Sequence, residues 1–224
     1  MKNKKGFSLV ELSIVLVIIG LLVAGVTGGS KLIESAKLHK FSKEYGEIYK
    51  GIQIFNITYD AYPGDFDEAS SFFGGSTSGN GNGIIDSTET SNIPQHLKLA
   101  DLVSSQNVVG GCIKSSGLNG YFCFDNHGAD IYKQGVSFRS INFRKLSGSW
   151  SSAISPINAY KIDKKFDDGV AKLGNMLAWE YNTIHGFSCV TGGTYHNAGS
   201  ESYKLTNTEE GCVLLIGLNK LFGL

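Results

Sequence analysis

The chain has 224 residues, 42% of them hydrophobic, which is room for one membrane helix and one globular domain with a real core. Its 20 basic and 20 acidic residues balance, and setting aside Lys2, Lys4 and Lys5 leaves 17 against 20, a net charge of −3, so a basic nucleic-acid binder is excluded. The histidines His39, His96, His127, His185 and His196 show no zinc-site spacing, and neither a G-x-S-x-G elbow nor a phosphate-binding loop occurs, so no enzymatic chemistry is expected.

The N-terminus carries the sharpest signal. Three lysines stand before Gly6, and a nearly uncharged run follows from Phe7 to Val26 in which Glu11 is the one ionisable residue. A charged side chain within a bilayer costs several kcal/mol unless it is paired, so Glu11 marks a functional site. An ordinary secretory signal has an apolar core of roughly 7 to 15 residues and a small-residue cleavage site. This core is longer, and Ala24-Gly25-Val26 matches such a site poorly. A plain anchor of about 20 residues fits the length but predicts neither Glu11 nor the Gly6-Phe7 junction.

The residues Gly6-Phe7-Ser8-Leu9-Val10-Glu11 resemble the processing motif of type IV prepilins and related pseudopilins. The resemblance implies that a prepilin peptidase and methylase cuts after Gly6 and methylates the new terminus at Phe7. It implies assembly, through an inner-membrane platform, into a filament of like or related pilin subunits. There the Glu11 carboxylate would meet the Phe7 ammonium of a neighbour. Two opposite charges in a low-dielectric bundle satisfy each other and set register, the best-attested use of a buried ion pair.

The leader lysines belong on the cytoplasmic face, which sends the head into the periplasm or beyond. The expected division is a leader over 1–6, a transmembrane and filament-core half-helix over 7–29, an amphipathic half over 30–61 and a globular head over 62–224. The rival reading is a membrane-anchored periplasmic binding module or enzyme that uses the helix only as a tether.

From Phe7 the helix meets no strong stop until Tyr62-Pro63-Gly64. Leu38, Phe41, Tyr45, Ile48, Ile52, Phe55 and Tyr59 recur at spacings of 3 and 4, which is one helical face. Lys37, Lys40, Lys43, Glu44, Glu47 and Lys50 occupy the other side. Helical from Phe7 to Tyr59, the element would be about 80 Å long. Gly20, Gly25, Gly28 and Gly29 should make it weakest near the membrane exit, or else permit close helix packing.

Beyond the helix, 62–92 is turn-forming. A second helix is expected from Pro94 to about Ser104, capped at Ser91 or Asn92, with Ile93, Leu97, Ala100 and Val103 inward. Strand-like runs follow at Gly120–Phe124, Val136–Phe143, Ala178–Tyr181, Phe187–Val190 and Cys212–Leu215. Ser155-Pro156 opens a short helix over Ile157–Phe166 that stops at Asp167-Asp168-Gly169. The fold class read from this is α+β, a long N-terminal helix packed on a mostly antiparallel sheet with extensive loops, which is also the pilin architecture that the resemblance implies.

Two acidic stretches could hold a metal. Ser78, Asn80, Asn82, Ile84, Asp86 and Glu89 follow the spacing of an EF-hand calcium loop, with Gly83 at the turn. Only Asp86 and Glu89 are anionic, so such a site would be weak, and a polar Gly-Asn turn needs the same residues. Pseudopilins often hold calcium in a head loop, which supports the reading without assigning these residues. Asp163, Asp167 and Asp168 form the second group, where interleaved lysines read as surface ion pairs or helix termination. No cofactor is required, and the head loop is the candidate place for a calcium ion.

Four cysteines in an exported chain make two disulfides. Cys112 with Cys123 and Cys189 with Cys212 close local loops and are favoured among three connectivities. The second pair resembles the C-terminal disulfide loop of many type IV pilins. Residues 191–195 and 200–210 then read as its exposed surface.

Overall fold

The computed structural model describes residues 6–127, 138–146, 151–171, 173–179, 189–191 and 202–218. The leader lysines, the start of the Val136–Phe143 run, Tyr181, Phe187 and most of the 191–201 loop lie outside these residues.

The first element, α1, is a single helix of 51 residues, Leu9–Tyr59. Ser8, in extended conformation, caps it by accepting from the Glu11 N–H, while the Glu11 carboxylate accepts from the Ser8 N–H at 2.8 Å. Each side chain satisfies an amide that the first turn leaves without a helical partner. The helix runs unbroken through Gly20, Gly25, Gly28 and Gly29, and a Cβ at any of the four would meet nothing within 4 Å. It ends at Asp60, which takes the left-handed conformation with φ 50°, so the stop precedes Pro63.

Beyond α1 the chain forms α2 (Ala69–Phe73), α3 (Ile93–Leu99) and α4 (Pro156–Phe166), with strands β1 (Val108–Val109), β2 (Cys112–Lys114), β3 (Tyr121–His127), β4 (Phe138–Arg144), β5 (Met176–Trp179) and β6 (Val213–Gly217). The six strands make one sheet in the order β1-β2-β3-β4-β6-β5, and every neighbouring pair is antiparallel. The architecture is α+β and pilin-like, a long helix laid on an antiparallel sheet.

The predicted apolar stripe of α1 faces that sheet. Phe41, Ile48, Ile52 and Phe55 are buried, and Leu38, Tyr45 and Tyr59 pack against the core's edge. Phe122 and Phe143 stand opposite each other in the β3–β4 register, and the Phe41 ring meets both, at 5.0 and 4.9 Å. Higher on α1, Phe55 sits among Phe66, Phe73 and His96. Of the polar face, Glu44 turns inward: its carboxylate accepts from the Ser115 hydroxyl and from the Ser116 N–H and hydroxyl. The β2–β3 turn comes so close there that a Cβ on Gly117 would lie 2.9 Å from the Lys37 carbonyl oxygen.

Several elements differ from expectation. The α3 helix stops at Leu99 because Ala100 and Asp101 turn the chain, Asp101 at φ 58°, so Val103 lies beyond it. The short α2, β1 and β2 carry too few residues for a periodicity to show. Of the Phe187–Val190 run, only 189 and 190 are among the described residues, and Val190 forms an isolated bridge to Tyr203. By contrast α4 begins at Pro156 after Ser155 and ends at Phe166, as the Ser-Pro start and the Asp-Asp-Gly stop predict.

Candidate functional site

Three polar constellations stand out. The first is the start of α1. Phe7 is 89% exposed and the whole apolar stretch above it lies outside the core, on a helix long and apolar enough to cross a membrane. Gly6 and Phe7 precede the helix, and Glu11 lies in its first turn, one turn from the Gly6-Phe7 junction. Among the described residues the Glu11 carboxylate is engaged locally, by Ser8. Ser8 belongs to this site without having been singled out from sequence, although a Ser three residues before a Glu ahead of an apolar run is the capping-box signal.

The second is the loop of residues 62–92. Its centre holds two buried carboxylates, Asp65 and Glu89, 2% and 5% exposed. Asp65 accepts from the N–H groups of Asn82 and Gly83 at 3.1 and 2.8 Å, and Glu89 from those of Asn80 and Asp86 at 2.8 and 3.0 Å. Asn80 and Asn82 accept from backbone N–H groups two residues on, and Asp86 accepts from the Thr88 N–H and hydroxyl. Gly79 lies so close to Asp65 that a Cβ there would sit 2.4 Å from its backbone.

These residues do converge, but the Ser78 hydroxyl is directed to Ser70 and both Glu89 oxygens serve amides. Ile84 is exposed. As arranged, the donor set fits a loop closed by its own amides better than a calcium cage. Asp65 is a further anion of this site, and no linear motif includes it.

Residues 1–27 match the family model described as the prokaryotic N-terminal methylation motif. The chain carries the signature of type IV prepilins and pseudopilins. No curated protein and no solved structure matches it. The motif supports a pilin-like precursor and points to a protein of structural type, and it implies processing by a prepilin peptidase and pilin assembly. The apolar stretch of α1 fits inner-membrane anchoring.

The third constellation of this prepilin-like chain is Asp163, Asp167 and Asp168 at the end of α4. Asp163 is fully buried, contrary to the surface ion pairs expected there. Its carboxylate accepts from the Tyr203 hydroxyl at 2.7 Å and from the Gly169 N–H, and burial pushes its pKa up to about 6. Asp167 accepts from the Asn175 and Met176 N–H groups, and Asp168 from that of Val170. These carboxylates tie α4 to the approach of β5 and to the segment that carries Tyr203.

That segment lies between the cysteines of the second disulfide. The bridges run from Cys112 to Cys123, directly paired across β2 and β3, and from Cys189 to Cys212.

Proposed function

We propose that the mature protein is a filament subunit of a type IV pilus or a type II secretion pseudopilus. The chain is cut after Gly6, methylated on the new N-terminal Phe7, and polymerised through α1, with Glu11 pairing to the Phe7 ammonium of a neighbouring subunit. The observation that carries this reading is the methylation motif at the start of a 51-residue helix whose apolar part is not buried by any of the described residues. A neighbour's ammonium would replace the Ser8 N–H at Glu11, a neutral hydrogen-bond donor exchanged for a charged one.

The test is the mature N-terminus and the polymer. Intact mass of the membrane-extracted protein should begin at N-methylated Phe7, and Gly6→Ala should leave the leader attached. Glu11→Ala should be cleaved yet yield few filaments in sheared fractions. Normal filaments from Glu11→Ala would sink the pairing, and an unprocessed monomer would favour the tethered-module reading.

A further inference from the structure

We infer that the head carries both halves of a contact between copies of this chain: the end of α4, Lys165 and Phe166, seats in the groove between α1 and the α3–β1 connection of a neighbouring subunit. The inference rests on the filament reading above. The groove has a volume of about 250 Å³, and an apolar cavity of roughly 150 Å³ already holds a benzene ring. Ile48, Leu102, Val103 and Phe122 give it an apolar floor, and the exposed Glu47 and Asp101 stand at its rim.

The end of α4 projects an aromatic ring beside two cations. Phe166 is 42% exposed and rests edge-on against Tyr45, with ring centres 5.8 Å apart. Lys164 and Lys165 are exposed next to it, and the Lys165 ammonium lies 5.7 Å from the Phe166 ring. The three aspartates close by are bonded within the head, Asp163 to Tyr203, Asp167 to the Asn175 and Met176 amides and Asp168 to that of Val170. Aromatic side chains are enriched at the cores of protein interfaces, where charges are left to the rim.

The groove has the complementary character. Glu44, Glu47 and Asp101 line it against one lysine, Lys114. Ser115 and Ser116 hold Glu44. Glu47 is met by Lys43 across 3.6 Å, an exposed pair of a kind that contributes little and exchanges readily. Asp101, held at φ 58° where the chain leaves α3, has no side-chain partner among the described residues. An incoming lysine therefore finds two carboxylates to meet, above an apolar floor for the ring that follows it.

The two halves lie on opposite sides of one rod. Lys165 and Phe166 meet α1 at Ser42 and Tyr45, whereas Glu44 and Glu47, each two residues further on, stand about 200° around the helix and about 3 Å along it. One chain cannot bring them together. Two different patches facing opposite ways make a head-to-tail contact, which every subunit can repeat with a neighbour on each side. In a filament whose α1 helices all run in one direction, ring and groove come to nearly the same level, and the opposite charges guide and register the approach.

The test uses filaments sheared from cells that express the full chain with photoreactive benzoylphenylalanine in place of Phe166. Irradiation should give a covalent dimer in which position 166 is joined to residues 99–114 of the next subunit, read by peptide mass spectrometry. Separately, Lys165→Glu and Glu47→Lys should each lower filament yield about threefold, the size of one exposed ion pair. Combining them should restore the yield, which it would not do for a folding defect. A dimer linked elsewhere, or losses that the double variant does not reverse, overturns the contact while leaving the filament reading intact. A wild-type chain that forms no polymer overturns both.

Discussion

Glu89 shows how much a single carboxylate can hold. Each of its oxygens takes one backbone N–H from a different part of the 78–89 loop, so removing it leaves two amides to be solvated in a site that is nearly closed. Each buried unsatisfied donor costs about 1–3 kcal/mol, and Glu89→Ala should lower the stability of the head by that order or more. Because the loop is closed by protein groups, we expect chelator to leave the melting temperature of the wild-type chain unchanged in detergent. A marked drop on adding chelator would instead point to calcium among Asp86, Asn80 and Asn82.

Two other buried groups give the head opposing responses to acid. Asp163 binds its proton more tightly folded than unfolded, with a pKa raised by burial to about 6, so its contribution to stability grows as pH falls from about 6 towards 4. A tenfold difference in proton affinity is worth about 1.4 kcal/mol, which puts the gain on the order of 2 kcal/mol. His96 works the other way. Its Nδ1 accepts from the buried Gly64 N–H at 2.9 Å and its Nε2–H donates to the Thr77 carbonyl, so the folded ring is neutral. Burial lowers its pKa, and the stability it supplies is lost as pH falls from about 6.5 through that depressed value. Melting curves from pH 7 to 4.5 should separate the two: Asp163→Asn should abolish the acid gain, and His96→Asn, which keeps an acceptor near Nδ1, the acid loss.

Among the elements, α1 was the most legible, since its 3-and-4 spacing was long enough to fix which face meets the sheet. Phe41 is the test of that docking. Its ring fills the space between Phe122 and Phe143, and Phe41→Ala should cost about 3–5 kcal/mol in denaturant-unfolding experiments on the detergent-extracted chain. The start and stop of α4 were equally plain, because Ser-Pro and Asp-Asp-Gly act locally. What could not be read was whatever depended on distant partners. Asp163 is buried because Tyr203 arrives from 40 residues away, and Asp65 because Asn82 and Gly83 fold back over it from 17 and 18 residues away. The end of α3 turns on the left-handed conformation of Asp101, for which no glycine or proline gives notice.

On the scale of the whole molecule, one rod joins a bare apolar end to a densely tied head. The head grips α1 at several heights: Lys161 holds Glu34, the β2–β3 turn holds Glu44, Phe122 and Phe143 hold Phe41, and the aromatic group around His96 holds Phe55. The grip bears on mechanics. A pull along the axis of α1 loads these contacts in shear, side by side, so that no single one is peeled away first. The Cys112–Cys123 bridge stands directly behind the β2–β3 turn that clasps Glu44, and it limits how far that turn can pay out if the clasp slips. Force-extension traces of the chain pulled from its N-terminal end should therefore show a higher rupture force with this bridge oxidised than reduced, and a shorter contour released at the first event.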